Sequence, residues 1–134
     1  MSSRLAAADR GLSVGVLVCL LLPVLLLCAG LAVDGAGQAA ASRRAEAVAA
    51  QAARAGMDAA APLSLAGQDA GEVAVAAARS VLAGHPEVAA EVTFSPNGSL
   101  RVDTTTSVPS VFLGLIGVER LSGRGSAAVE LRPR

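Results

Sequence analysis

The chain has no Trp, no Tyr and no Lys, only two Phe, one His and two Cys in 134 residues. Each scarcity removes a class of reading. Apolar residues make up 53% of the chain, but alanine is the commonest of them, and alanine buries little surface at roughly 25 cal/mol per Å². Outside the opening stretch the sequence therefore encodes one small domain with a thin core. Cys19 and Cys28 both fall within the opening apolar run, which leaves no pair for a disulfide or a thiolate metal site in the rest of the chain. His85, the lone histidine, stands beside Pro86 in an expected loop, with no cysteine near it to complete a ligand set or a nucleophile pair. Glycines are plentiful, yet no GxxxxGK[ST] and no GxGxxG between a strand and a helix is present, so nucleotide binding has no support. The eleven basic residues, all Arg, balance eleven acidic ones and are scattered, which argues against a nucleic-acid partner. The expectation is a protein without catalytic residues, metal or cofactor.

What is present begins with GLSVGVLVCLLLPVLLLCAGLAVDGA. The 23 residues between Arg10 and Asp34 carry no charge. As a helix they extend about 34 Å, enough to cross roughly 30 Å of hydrocarbon. A cleavable leader has a shorter apolar region and a small-residue cleavage site, which residues 29–36 match only loosely. Leu25, Leu26 and Leu27 precede Cys28, which rules against a lipid-modified cysteine. Pro23 is read as a tolerated kink. A retained transmembrane helix over residues 11–33 is expected. Gly11, Gly15 and Cys19 recur at every fourth position and make one side small enough for another helix to approach. Arg10 at one border and Asp34 at the other place the N-terminal tail, residues 1–10, in the cytoplasm and the remainder outside. Asp34 either marks the water boundary or is a carboxylate held at the interface by a partner's Arg or by backbone donors.

Residues 34–61, rich in Ala, Arg, Glu and Gln, continue the helix out of the membrane. Arg44, Gln51, Arg54 and Asp58 fall on one side, while Ala41, Ala45, Val48, Ala52, Ala55 and Ala59 make a smooth side suited to close packing against a partner helix or the chain's own sheet. Pro62 and Gly67 punctuate the chain. Asp69, with Glu72 three residues on, then starts a second helix as a capping box, and this helix reaches Leu82 or Ala83 before Gly84, His85 and Pro86 end it.

After Glu87 the period changes to two. Val92 and Phe94 alternate with polar neighbours, and Pro96, Asn97 and Gly98 supply hairpin chemistry that also accounts for the formal Asn97-Gly98-Ser99 glycosylation sequon. Next, Leu100, Val102, Thr104 and Thr106 share a face, and in a third strand Leu121, Ala127, Val129 and Leu131 do the same. The fold class is α+β: a transmembrane helix running on into an Ala-rich helix, a second short helix, and a small three-stranded antiparallel sheet, the last two forming a domain over residues 62–134. Between the second and third strands lies VPSVFLGLIGV, apolar without alternating. It is read first as a plug beneath the sheet. The other reading makes Val111, Phe112, Leu113, Leu115 and Ile116 an interfacial or partner-binding segment.

Arg10-Gly11, Leu21-Leu22-Pro23-Val24-Leu25-Leu26, Ala29-Gly30-Leu31-Ala32-Val33-Asp34 and Arg43-Arg44 followed by an Ala-rich helix together resemble the N-terminal region of TadE/TadG-like proteins. These belong to the Tad (Flp, tight adherence) pilus assembly systems. Val108-Pro109 and Leu113-Gly114-Leu115-Ile116-Gly117 are similar in style to actinobacterial members. The resemblance implies a pilin-like domain outside the cell membrane, other pilus-assembly or secretion subunits as partners, and no enzymatic activity. Pilins and pseudopilins of this kind are cleaved after a glycine and carry a glutamate at the fifth mature position. Cleavage after Gly11 would put Val16 there, which favours a TadG-like accessory subunit over a polymerising pilin. A reading from another class is a secreted or membrane-anchored binding module, unrelated to pili, that holds a ligand with the hairpin and residues 108–118.

Overall fold

The computed structural model describes residues 2–130, with side chains from residue 14 onward. The elements are helix α1 (Ser2–Leu65), helix α2 (Gly71–Ala83), strands β1 (Val88–Phe94) and β2 (Ser99–Pro109), a 3₁₀ turn (Leu113–Ile116) and strand β3 (Arg120–Glu130). The α+β class, the long apolar helix continuing into an Ala-rich one, the short second helix and the three antiparallel strands are all as expected.

α1 is one helix of 64 residues that contains both Pro23 and Pro62. The expected end near residue 61 is overrun by a turn, because the stop is set by Gly67 and not by Pro62. Gly67 has φ +71°, its N–H donates to the Ser64 carbonyl at 3.1 Å, and the Gln68 N–H donates to the Leu63 carbonyl at 2.9 Å. These two bonds around a left-handed glycine form a Schellman motif, which satisfies carbonyls the helix end leaves open.

α2 begins beyond Asp69, whose Oδ1 accepts the Gly71 N–H at 3.0 Å, and Ala70 takes the cap position. The expected capping box does not form among the described residues: Asp69 reaches the Gly71 N–H and not that of Glu72, Glu72 makes no return bond, and the helix start moves on by one residue. The β1–β2 connection closes through Ser95, whose N–H donates to the Ser99 carbonyl at 2.8 Å, with Gly98 at φ +80°. Asn97 Oδ1 accepts the Ser99 N–H at 3.2 Å, a local turn bond that asparagine makes readily.

The strands form an antiparallel meander in the order β1-β2-β3, with Val92 opposite Val102, Leu100 opposite Val129 and Val102 opposite Ala127. Because side chains alternate across a strand, Leu100, Val102, Thr104 and Thr106 all turn toward α1 and are buried. Leu100 and Val102 meet Ala49, Ala52, Ala53, Met57 and Ala60 of α1 and Ala74 and Ala78 of α2. Small residues set the spacing. A side chain at Gly56 would strike Leu100 and the Ala74 carbonyl, and side chains at Gly123 or Gly125 would strike the α1 backbone at Ala41, Ser42, Ala45 and Glu46.

Two expectations are corrected here. Ala55 and Ala59 are only partly buried, and the buried side runs instead through Ala41, Ala45, Val48, Ala49, Ala52, Ala53, Gly56, Met57 and Ala60. The stripe is wide because the sheet and α2 both pack on α1. Residues 108–118 do not plug the core either. They form the connection at the closed end of the β2–β3 hairpin, against α1 at Gly30 and Asp34.

Between residues 14 and 33 every α1 residue except Gly30 is exposed, including thirteen large apolar side chains from Val14 to Val33. Among the described residues there is thus one helix long and apolar enough to cross a membrane, near the N-terminus.

Candidate membrane-border site

β2 runs antiparallel to α1. Leu100 sits at Gly56, and the Thr104 hydroxyl donates to the Ala45 carbonyl at 2.8 Å. Continuing the same way, the chain after Pro109 arrives at the α1 turn that ends the apolar run. There the Asp34 carboxylate accepts three consecutive backbone N–H groups: Val111 at 2.7 Å on Oδ1, and Phe112 at 3.0 Å and Leu113 at 2.7 Å on Oδ2. Asp34 is 3% exposed, and no buried polar side-chain atom among the described residues lacks a partner. One turn toward the N-terminus, Gly30 receives the Phe112 ring, which lies where any side chain at position 30 would have to go.

The donors hold the Asp34 carboxyl below its ordinary range. The Leu113 and Val111 N–H groups lower it most, loss of solvent opposes them, and the Phe112 N–H adds to the lowering. A carboxylate accepting several backbone N–H bonds is favoured in its charged form, and a concave run of amides is a ready seat for an anion.

The loop is tied off on its other side as well. Ser110 N–H donates to the Glu119 carbonyl at 3.0 Å, the Ser110 hydroxyl bonds the Val118 carbonyl, and Val118 N–H donates to the Leu113 carbonyl at 3.0 Å. Gly117, at φ +94°, makes the reversal after the 3₁₀ turn. Beyond it Arg120 donates from Nη2 to the Ser107 hydroxyl at 2.6 Å. With its backbone bound inward, the loop turns apolar side chains outward: Val111 is 64% exposed, Leu115 83% and Ile116 76%.

Of the residues singled out in the sequence, Asp34 and the segment of Val111, Phe112, Leu113, Leu115 and Ile116 are thus brought together. Gly15 has open space around it and Cys19 is exposed, so neither packs within the chain, and the side chain position of Gly11 lies outside the described residues. Gly30 is the member of the site that the sequence reading did not single out as functional; only its place one turn before Asp34, on the same helix face, could have pointed to it.

Elsewhere, His85 lies 3.7 Å from the Glu87 carboxylate, which Arg44 also contacts at 2.7 Å. An open groove of about 880 Å³ runs between α2 and β1, lined by Glu72, Val75, Arg79, Val92 and Phe94. No group of three or more His, Cys, Asp or Glu side chains among the described residues is placed to hold a metal ion. No family model, no curated protein and no solved structure matches this chain.

Proposed function

We propose that this chain is a non-enzymatic, single-pass membrane subunit of a Tad/Flp-type pilus assembly or secretion apparatus, acting through helix packing and protein contacts. In this reading the N-terminus is cytoplasmic and the α+β domain lies outside the cell membrane. One observation carries the membrane part. Gly30 and Asp34, at the end of the apolar run, are built into the folded domain through the Phe112 ring and three loop amides. A disposable leader has no reason to be a structural part of the domain it delivers. The exposed apolar side chains before Gly30 have no cover within their own chain, and lipid or neighbouring helices supply it. The assignment to a pilus or secretion machine rests on the TadE/TadG-like resemblance of the apolar run and its flanks.

Two measurements test it. Intact-mass analysis of protein from the membrane fraction should find no new N-terminus among residues 29–38, and such a terminus would overturn the anchor. Affinity purification of the full chain from detergent-solubilised native membranes should recover a secretion ATPase or polytopic platform subunits. Recovery of the chain without them, across mild detergents, would overturn the apparatus reading and leave an anchored binding module.

A further inference from the structure

Four observations on the β2–β3 loop converge. The first is depth. Phe112 packs on Gly30, inside the uncharged run, so the loop lies beside α1 residues such as Leu27, Leu31 and Val33 that are themselves exposed and apolar. The second is charge. Residues 108–118 carry none, and the nearest charged side chains in sequence, Glu119 and Arg120, are on the domain side of the loop. The third is direction. Val111, Leu115 and Ile116 all face outward, with no cover from the rest of the described residues.

The fourth observation is backbone satisfaction. Val111, Phe112 and Leu113 donate to Asp34, Ser110 to Glu119, Leu115 to Phe112, Gly117 to Gly114 and Val118 to Leu113. A loop in water has no need of this, since solvent would serve each amide. A loop in contact with lipid does, because irregular backbone is excluded from an apolar medium unless its polar groups are satisfied within the protein.

We propose that the β2–β3 loop is a second lipid-contacting element, which Asp34 clasps by its backbone so that Val111, Leu115 and Ile116 enter the interfacial layer of the leaflet that α1 leaves between Gly30 and Asp34. The proposal rests on the reading of α1 as membrane-spanning. It gives the domain two points of attachment to the bilayer, the helix and the loop tip, which fix its rotation about the helix axis. Apolar residues seated at the boundary of headgroups and acyl chains are a recognised form of surface attachment.

The test uses the full chain with Cys19→Ala and Cys28→Ala, carrying either Leu115→Cys or, on the outer face of β3, Ser126→Cys. Each is labelled with bimane and reconstituted at low protein-to-lipid ratio into phosphatidylcholine/phosphatidylglycerol vesicles. Acyl-chain nitroxide lipid should quench the Leu115 label several-fold more than the Ser126 label, and aqueous iodide should show the reverse order. Iodide quenching of both labels alike, in vesicles that keep the protein through alkaline carbonate, would overturn the loop proposal alone and leave a protein partner as the cover. Release by carbonate would overturn the spanning helix and the loop proposal together. Asp34→Ala should abolish the lipid quenching at Leu115 without weakening carbonate resistance, and unchanged quenching would overturn the role given to Asp34.

Discussion

Gly125 of β3 lies directly on the backbone of Glu46 in α1, with no room between them for a single methyl group. Its neighbour on the same strand face, Gly123, stands likewise on Ala41 and Ser42. The two glycines let a strand lie on helix backbone, and this sets the distance between sheet and helix. Gly125→Ala is expected to cost about 1–3 kcal/mol of stability, the usual penalty for overpacking a site that cannot give way. Gly37, in α1 with open space around it, should respond in the opposite sense, gaining up to about 1 kcal/mol on change to Ala. Chemical denaturation of the two variants in detergent micelles, followed by circular dichroism, checks both signs. A neutral Gly125→Ala would show that the contact does not govern the packing.

Thr104 gives a second handle on the same seam. Its hydroxyl is buried, donates to the Ala45 carbonyl and lies 3.1 Å from the Gly125 carbonyl. Thr104→Val keeps the branched shape and removes the donor. A loss of about 1 kcal/mol is expected, the net worth of one such bond. Thr104→Ala should cost more than Thr104→Val in the same assay, because it also opens a void.

The Asp34 clasp predicts a pH response of definite sign. Its folded carboxyl titrates below the ordinary value, so the clasp contributes fully above the unfolded pKa of about 3.9 and is lost as pH falls through the lower folded one. Hydrogen-exchange protection of the Val111, Phe112 and Leu113 amides should therefore hold from neutral pH down to about 4 and fall only below it. Asp34→Asn should lower that protection at neutral pH and remove its acid dependence. Protection that already declines near pH 6 would assign the transition to another group.

Sidedness is checked with Ser126→Cys in a Cys19→Ala, Cys28→Ala background. Residue 126 is exposed on the outer face of the sheet, whereas Ser99, at the hairpin, is half-buried with its amide bound to Asn97. A membrane-impermeant maleimide should label the thiol in intact cells. Labelling that appears only after lysis would reverse the proposed orientation.

Most of the fold was legible because its signals are local. The period-two run Leu100, Val102, Thr104 and Thr106 is the buried face of β2, and Asn97-Gly98 is its turn. The burial of Ala49, Ala53 and Ala60 was less legible, since alanine carries almost no directional signal and the face depends on where α2 lands. Asp34 and residues 111–113 each stood out alone, but their pairing spans more than 75 positions. One arithmetic clue existed. From Leu100 to Phe112 an extended chain covers about 40 Å, and from Gly56 back to Gly30 a helix covers about 39 Å. Once Leu100 is placed on Gly56, the loop has nowhere to end but the last turn of the apolar run.

The continuity of α1 has a mechanical side. Its residues from Asp34 to Leu65 form a lever arm of about 46 Å that is one piece with the part proposed to lie in lipid. A tilt of about 10° in that part, of the size membrane helices adopt to match bilayer thickness, swings the far end sideways by about 8 Å. The loop at Gly30 acts as a strut near the fulcrum. On the proposed seating of the loop, Leu115 and Ile116 would meet the membrane on one side of α1 only, so the arm would lean more easily away from that side than toward it.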